Sequence, residues 1–277
     1  MIIQDELKRW MRESAEAGRN FSQIVIGLAV NYGYSVPVAK RIAQVVLSQS
    51  DNDDVALYQN SAAVPDIHTE TQQTTLHLGS SSPTISFEQF FPRIVLVDNF
   101  LSPEECDALC RQGEDVLAPA EVLDQGNLSQ QARKRSSFTA RFPRNHSSLV
   151  DLVEEKIAEL VDWPAANSEP LQIQRYLPGQ QYVAHYDFFE KPSESSDRFV
   201  TEGGQRLATL IVYLKQPEAG GATYFSNLGL RVSPRAGSAL FFNYPDAAIT
   251  GGTMHCGEKV VTGEKWILTK WFRQDPV

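Results

Sequence analysis

Gln181-Tyr182-Val183-Ala184-His185-Tyr186-Asp187-Phe188-Phe189 contains a short β-strand, expected over Tyr182–Asp187, in which residues i and i+2 point to one face. His185 and Asp187 stand two apart in it, so one face carries an imidazole and a carboxylate. Such a pair binds a divalent metal when a further ligand arrives from elsewhere in the fold. On either side the chain continues as short apolar runs, at 171–176, 206–214, 223–225, 229–233, 237–242, 253–255 and 265–273. Pro178-Gly179, Gly203-Gly204, Gly220-Gly221, Pro234 and Gly251-Gly252 cut these runs apart as turns. Short strands at this density, with helices gathered ahead of them, predict a jelly-roll barrel backed by helices, a mainly β fold.

Ahead of the strands, Pro92-Arg93-Ile94-Val95-Leu96-Val97 predicts one more strand. It runs into Ser102-Pro103-Glu104-Glu105, which combines a helix cap, proline at the first helical position and an acid at the third. A second helix is expected over about 148–161, with Leu149, Leu152, Val153, Ile157 and Leu160 as its apolar stripe. The first fifty residues have a different pattern. Leu7, Trp10 and Met11 share a helical face, Ser22 could cap a second helix, and Ser35-Val36-Pro37 opens a third that carries Ile42, Val45, Val46 and Leu47. Residues 51–86 are rich in Ser, Thr, Gln, Asn and Asp, with Pro65 and Pro83, the composition of a flexible linker. The expected organisation is a small helical domain at 1–50, a linker at 51–86 and a β-domain at 87–277.

Of 277 residues, 42% are apolar and 21% charged, the balance of an ordinary globular protein. A net charge of −9 argues against a general nucleic-acid or anionic-membrane binder, although Arg133-Lys134-Arg135 is a local basic patch. Asp5, Glu6, Lys8 and Arg9 interrupt the N-terminus before an export signal could form, and a cytoplasmic location is expected. Three cysteines are too few and too odd a set for a disulfide framework; Cys106 and Cys110, four apart, read as helix residues of a core.

The candidate site follows from scarcity. There are five histidines, at 68, 77, 146, 185 and 255. The first two fall in the expected linker and His146 begins a helix, whereas His185 and His255 sit among large apolar residues, where an unpaired imidazole is costly. His255 is therefore the candidate third ligand. Lys265 opens the apolar strand Lys265-Trp266-Ile267-Leu268, where a buried ammonium needs an anion.

From about Pro92 to Arg273 the chain resembles the prolyl 4-hydroxylase family of Fe(II)/2-oxoglutarate dioxygenases. The matching stretches are Phe100-Leu101-Ser102-Pro103-Glu104-Glu105-Cys106, Arg135-Ser136-Ser137, Gln174-Arg175-Tyr176-Leu177-Pro178-Gly179-Gln180, Gly203-Gly204-Gln205-Arg206, Gly220-Gly221-Ala222-Thr223 and Gly263-Glu264-Lys265-Trp266, in the family's order. The resemblance implies a double-stranded β-helix in which His185, Asp187 and His255 hold Fe(II) and Lys265 holds the distal carboxylate of 2-oxoglutarate. It implies that Tyr176 and Thr223 share that carboxylate, and that Arg206 and Trp271 lie near the substrate entrance. Two departures stand out: Cys256 follows the distal histidine where many relatives have a small residue, and Ala222 replaces a common acid.

The implied reaction is hydroxylation of a C–H bond, with O2 as second cosubstrate, ascorbate as reductant, and succinate and CO2 released. Asp187 favours hydroxylation over halogenation, because related halogenases lack a carboxylate there. The family favours a prolyl residue of a peptide or protein as substrate. A free amino acid or other small molecule is the alternative; a non-catalytic protein-binding module with a vestigial barrel is a third reading. The Ser-, Glu- and Asp-rich stretch 189–202 is either a lid or a solvated loop. The helical bundle is either a recruiting module or a solubility or oligomerisation appendage.

Overall fold

Arg206-Leu207-Ala208-Thr209-Leu210-Ile211-Val212-Tyr213-Leu214-Lys215 explains why this molecule has two β-cores. Ala208, Leu210, Val212 and Leu214 point to one face of the strand and Thr209, Ile211 and Tyr213 to the other, and all are buried. A strand covered on both faces reads as a nearly continuous apolar run. The computed structural model describes residues 5–19, 21–32, 34, 39, 42–43, 46–47, 64–69, 74–79, 81–89, 92–119, 136–189, 203–244 and 252–277.

In chain order the elements are α1 (Asp5–Glu16), α2 (Phe21–Tyr32), β1 (Thr84–Gln89), β2 (Ile94–Asp98), α3 (Pro103–Glu114), β3 (Ala118–Pro119), β4 (Phe138–Phe142) and α4 (Ser148–Val161). They continue with β5 (Leu171–Tyr176), β6 (Tyr182–His185), β7 (Arg206–Lys215), β8 (Ala219–Gly220), β9 (Thr223–Phe225) and β10 (Leu230–Val232). The last are β11 (Ala239–Asn243), β12 (His255–Gly257), β13 (Val260–Thr262) and β14 (Lys265–Arg273). An eight-stranded antiparallel sheet runs β1-β2-β11-β7-β14-β5-β4-β3, and a four-stranded sheet runs β10-β9-β12-β6. The two form the expected jelly roll.

The outer face of the large sheet packs on α3 and α4, in a core that joins Leu210, Val212, Phe241, Leu268 and Phe272 to Cys106, Leu109, Val153 and Ile157. The inner face meets the smaller sheet, and Tyr176, Ile211, Tyr213, Phe225, Leu240, Phe242 and Ile267 fill the space between. α3 starts as its sequence predicts. Ser102 Oγ accepts from the Glu105 backbone N–H at 3.2 Å and Glu105 Oε2 accepts from that of Ser102 at 2.8 Å. The stripe of α4 differs from expectation at one place: Leu152 faces solvent, while Glu154 turns inward and binds Lys270 of β14 at 2.6 Å. An opposite charge across the interface makes that inward turn tolerable.

In the N-terminal region α1 and α2 bury Leu7, Met11, Ile24, Val25 and Leu28 together with Ala39, Ile42, Ala43 and Val46. Gly27 permits this contact, since a Cβ there would lie 2.7 Å from the Trp10 ring. Most of the third predicted helix lies outside the described residues, as do 51–63, Arg133-Lys134-Arg135 and the lid candidate 190–202.

The linker expected to run to residue 86 needs correction. β1 begins at Thr84, and the chain is tied to the β-domain well before it. Ile67 is buried in the outer core. Arg93 donates to Asp66 Oδ1 (2.8 Å), Ile67 O (2.7 Å), Thr69 Oγ1 (3.0 Å) and Glu88 Oε2 (3.1 Å), and Asn243 Nδ2 donates to Pro65 O (3.1 Å). A polar composition concealed this segment because, Ile67 apart, its attachment is by hydrogen bonds to the buried side chains of Arg93 and Asn243. Among the described residues no helix is long and apolar enough to cross a membrane.

Candidate active site

β6 and β12 bring the two histidines together. They pair antiparallel with His185 opposite His255, and the ring centroids are 4.4 Å apart. β6 ends at His185, so Asp187 sits in the bend just beyond the strand, not on it as predicted. The turn still carries the carboxylate back to the imidazoles: Oδ1 lies 3.3 Å from His185 Nε2 and Oδ2 lies 3.7 Å from His255 Nε2. One ligand atom from each of the three residues falls within 4.8 Å of the others.

Both rings are oriented alike. His185 Nδ1 donates to the Val183 carbonyl (2.8 Å) and His255 Nδ1 to the Thr253 carbonyl (3.0 Å). A carbonyl can only accept, so each Nδ1 carries a proton and each Nε2 is turned toward Asp187. Burial, with His185 adding to it, pushes His255 down to about 4, which keeps its imidazole neutral. Burial opposes the charge on Asp187, but His255, His185 and Arg206 hold its pKa below the usual carboxylate range. Two imidazole nitrogens and one carboxylate suit a borderline divalent ion such as Fe(II).

The same cavity is lined by Gln174, Tyr176, Tyr182, Ile211, Thr223, Gly257, Lys265, Ile267, Thr269 and Trp271. Lys265, Ile267, Thr269 and Trp271 are alternate residues of β14, which is how one strand lines a wall. Lys265 is only 3% exposed, and its Nζ stands 5.6 Å from the Tyr176 ring centroid and 5.7 Å from that of Tyr213. Among the described residues no carboxylate lies within ion-pair distance of it. Burial pushes its pKa down to about 8, against the weaker opposite pull of Cys256 and Glu258. Among the described residues it is a buried cation with no facing carboxylate, and it lines the cavity that the histidines and Asp187 share.

Thr223 accepts from the Tyr213 hydroxyl at 2.8 Å, which leaves its own proton to donate into the cavity. Burial raises the Tyr213 pKa, so that phenol remains a donor. The Tyr176 hydroxyl donates to Gln174 Oε1 at 3.3 Å.

Arg206 is not a lining residue. Its Nε and Nη2 bind the two Glu169 oxygens at 2.7 Å each, and Nη1 donates to the Asp187 carbonyl at 3.2 Å. The guanidinium lies 4.1 Å from the Trp271 ring centroid and 4.9 Å from that of Phe189. The residue expected at the entrance is thus a strut that ties Asp187 and Trp271 to Glu169. Trp271 lines the cavity, and its buried indole N–H has no hydrogen-bond partner among the described residues.

Residues 171–273 match the 2OG-Fe(II) oxygenase superfamily. Prolyl 4-hydroxylase 5 of Arabidopsis thaliana is 35% identical over 204 residues, 65% of this chain and 68% of that protein. The chain belongs to the prolyl 4-hydroxylase family. Arabidopsis prolyl 4-hydroxylase 1 extends the similarity to 72% of this chain and 74% of its own length, at 32% identity. Among solved structures, the viral collagen prolyl hydroxylase of Paramecium Bursaria Chlorella virus-1, in its 2-oxoglutarate complex, superposes with a TM-score of 0.53 at 30% identity. That match covers 65% of this chain and 95% of the viral one. This member of the family is a 2-oxoglutarate-dependent dioxygenase with Fe(II) as its metal, and the donor set and the unpaired lysine fit both groups.

Thr209, Tyr213, Tyr244 and Glu169 escaped the sequence analysis. The one signal for Thr209 and Tyr213 was their position in the near-continuous apolar run of β7, where a hydroxyl at every other inner position needs a partner.

Proposed function

We propose that this dioxygenase hydroxylates prolyl residues in a peptide or protein, with His185, Asp187 and His255 holding the iron and Lys265 the C5 carboxylate of 2-oxoglutarate. The observation that carries the reading is the cavity itself: three convergent ligand atoms and one buried ammonium, without a carboxylate partner among the described residues, line the same space. The similarity to plant prolyl 4-hydroxylases and to a viral collagen prolyl hydroxylase supports the prolyl substrate.

When bound, Fe(II) and 2-oxoglutarate supply the chemistry, in which O2 converts the oxoacid to succinate and CO2 and one oxygen atom enters the substrate C–H bond. The chain's residues do the rest. The carbonyls of Val183 and Thr253 fix each imidazole with Nε2 inward. Lys265 and the free proton of Thr223 orient the distal carboxylate, and Tyr176 adds an oxygen beside it. Ile211, Ile267, Phe225 and Phe242 keep the inner face dry, which strengthens the lysine–carboxylate attraction. Trp271, backed by Arg206, offers a flat apolar wall and an N–H donor to the substrate. Ascorbate is proposed as the reductant that restores the metal after idle turnovers, and residues 1–50 as a module that recruits the substrate or a partner.

Succinate release should require Fe(II) and 2-oxoglutarate and rise with proline-containing peptides but not with free proline. Mass spectrometry should then find one added oxygen atom on a prolyl residue. Stimulation by free proline, with none by peptides, would move the substrate to the small-molecule class.

A further inference from the structure

Asp187 carries one more interaction than its pairing with the histidines requires. Thr209 Oγ1 donates to Asp187 Oδ2 at 2.7 Å, and Thr209 Oγ1 lies 2.7 Å from the Tyr244 hydroxyl. All three side chains are buried: Thr209 is 0% exposed, Tyr244 3% and Asp187 8%. The direction of the chain follows from chemistry. An ionised carboxylate only accepts, so the single hydroxyl proton of Thr209 points to Asp187 and Tyr244 must donate to Thr209. Burial keeps the Tyr244 phenol protonated, and the Asp187 charge acts in the same sense. Tyr244 is itself fixed, because its backbone N–H donates to Leu207 O at 2.8 Å and its ring packs on Phe188 and Phe242.

We propose that Thr209 and Tyr244 are positioning residues that commit one oxygen of Asp187 to a hydrogen bond and leave Oδ1 as the metal-binding atom. A carboxylate can bind a metal through one oxygen or both. With two imidazoles and one Asp187 oxygen as ligands, a bound Fe(II) would keep positions free for a chelating oxoacid and O2. A carboxylate bound through both oxygens would take one of them. The Tyr244–Thr209 chain favours the first arrangement before any metal arrives, and the Arg206 bond to the Asp187 carbonyl steadies the backbone from the other side. The proposal rests on Asp187 being an iron ligand.

The test compares the full-length wild type with Thr209→Val, Thr209→Ser, Tyr244→Phe and His255→Ala under anaerobic conditions. Fe(II) affinity is measured by titration, and the visible charge-transfer band of the Fe(II)/2-oxoglutarate complex is recorded. Thr209→Val should weaken Fe(II) binding roughly 10- to 100-fold, the usual range for a lost partner of a metal ligand, and should alter the band. Thr209→Ser keeps the hydroxyl and should stay near wild type. Tyr244→Phe should shift both readouts in the same direction by less. Wild-type affinity and band in Thr209→Val would overturn the proposal, as would a Thr209→Ser variant impaired like Thr209→Val, which would make the effect one of packing. If Thr209→Val does not fold, Tyr244→Phe decides, and wild-type behaviour there overturns the chain. His255→Ala should lose the metal; its retention of wild-type Fe(II) binding would instead reject the ligand set beneath the proposal.

Discussion

His185 and His255 are register partners across the β6–β12 ladder, and each turns its Nε2 toward Asp187 because a backbone carbonyl two residues upstream takes its Nδ1 proton. Two residues far apart in sequence are thus fixed by the same local device. Sheet pairing sets both Nε2 atoms beside the Asp187 carboxylate.

Lys265 should be the main determinant of 2-oxoglutarate affinity. Losing one partner of a buried ion pair costs about 3–5 kcal/mol, equivalent to roughly two to four decades in binding. Lys265→Ala should raise the KM for 2-oxoglutarate steeply and leave Fe(II) binding near wild type. Lys265→Arg should retain part of the affinity, since the charge survives on a bulkier planar head. Titration of 2-oxoglutarate against succinate release, with metal content measured in parallel, checks this; an unchanged KM in Lys265→Ala would place the anchor elsewhere.

The same lysine sets a pH dependence. Burial pushes its pKa down to about 8, below the ordinary 10.5, so before 2-oxoglutarate binds it is charged below pH 8 and neutral above. Only the charged form attracts the carboxylate. 2-Oxoglutarate affinity should therefore be flat below about pH 8 and fall by up to roughly tenfold per pH unit above it. Binding above pH 8 should take up a proton, seen as a buffer-dependent heat in calorimetry. The empty protein has the opposite trend: a lysine with a depressed folded pKa lets stability rise between pH 8 and 10.5. Affinity that stays constant from pH 7 to 10 would contradict the assignment.

Glu154 and Lys270 form a buried pair on the opposite face of β14 from the cavity, with side chains 9% and 1% exposed. Glu154→Leu alone should strand a buried ammonium and destabilise the protein by about 3–5 kcal/mol. The double variant Glu154→Leu/Lys270→Met should recover most of that loss. Denaturant unfolding of the two single variants and the double one gives the comparison; a double variant as weak as the worse single would show that packing, not charge, dominates there.

The Arg93 attachment decides where the β-domain begins. A chain starting at residue 64 keeps Asp66, Ile67 and Thr69 on Arg93 and should unfold as a stable unit. A chain starting at Thr84 leaves the buried guanidinium with Glu88 as the remaining partner among these, uncovers the place of Ile67, and should melt at a clearly lower temperature. Equal melting temperatures would show that the segment is dispensable.

The sequence made the strands legible where their ends were marked. β5, β9 and β14 begin and end where turn residues and apolar alternation place them. α4 spans the predicted range because Ser147 caps it and Asp162 closes it at φ 47°. β1 and β4 were missed: the one lies in a polar stretch and is half-exposed, and the other has no flanking turn dipeptide that singles it out. The clustering of His185, Asp187 and His255 and the burial of Lys265 were legible because histidine and lysine are scarce in apolar surroundings. Thr209 and Tyr244 were not, because a hydroxyl in a strand looks the same whether it binds a ligand carboxylate or a neighbour's backbone. Nothing in the sequence ties Arg206 to Glu169, which is 37 positions away, and only the fold brings the two together.

The central claim is that His185, Asp187 and His255 form one iron site that turns over 2-oxoglutarate, and one side-by-side assay tests it. Wild type, His185→Ala, Asp187→Ala and His255→Ala would be given saturating Fe(II), 2-oxoglutarate, ascorbate and a proline-containing peptide. Succinate and hydroxylated peptide would be quantified together, with circular dichroism to establish that each variant is folded. The wild type should form the two products in step, and the three folded variants should form neither. Succinate formation at the wild-type rate by folded Asp187→Ala would contradict the account.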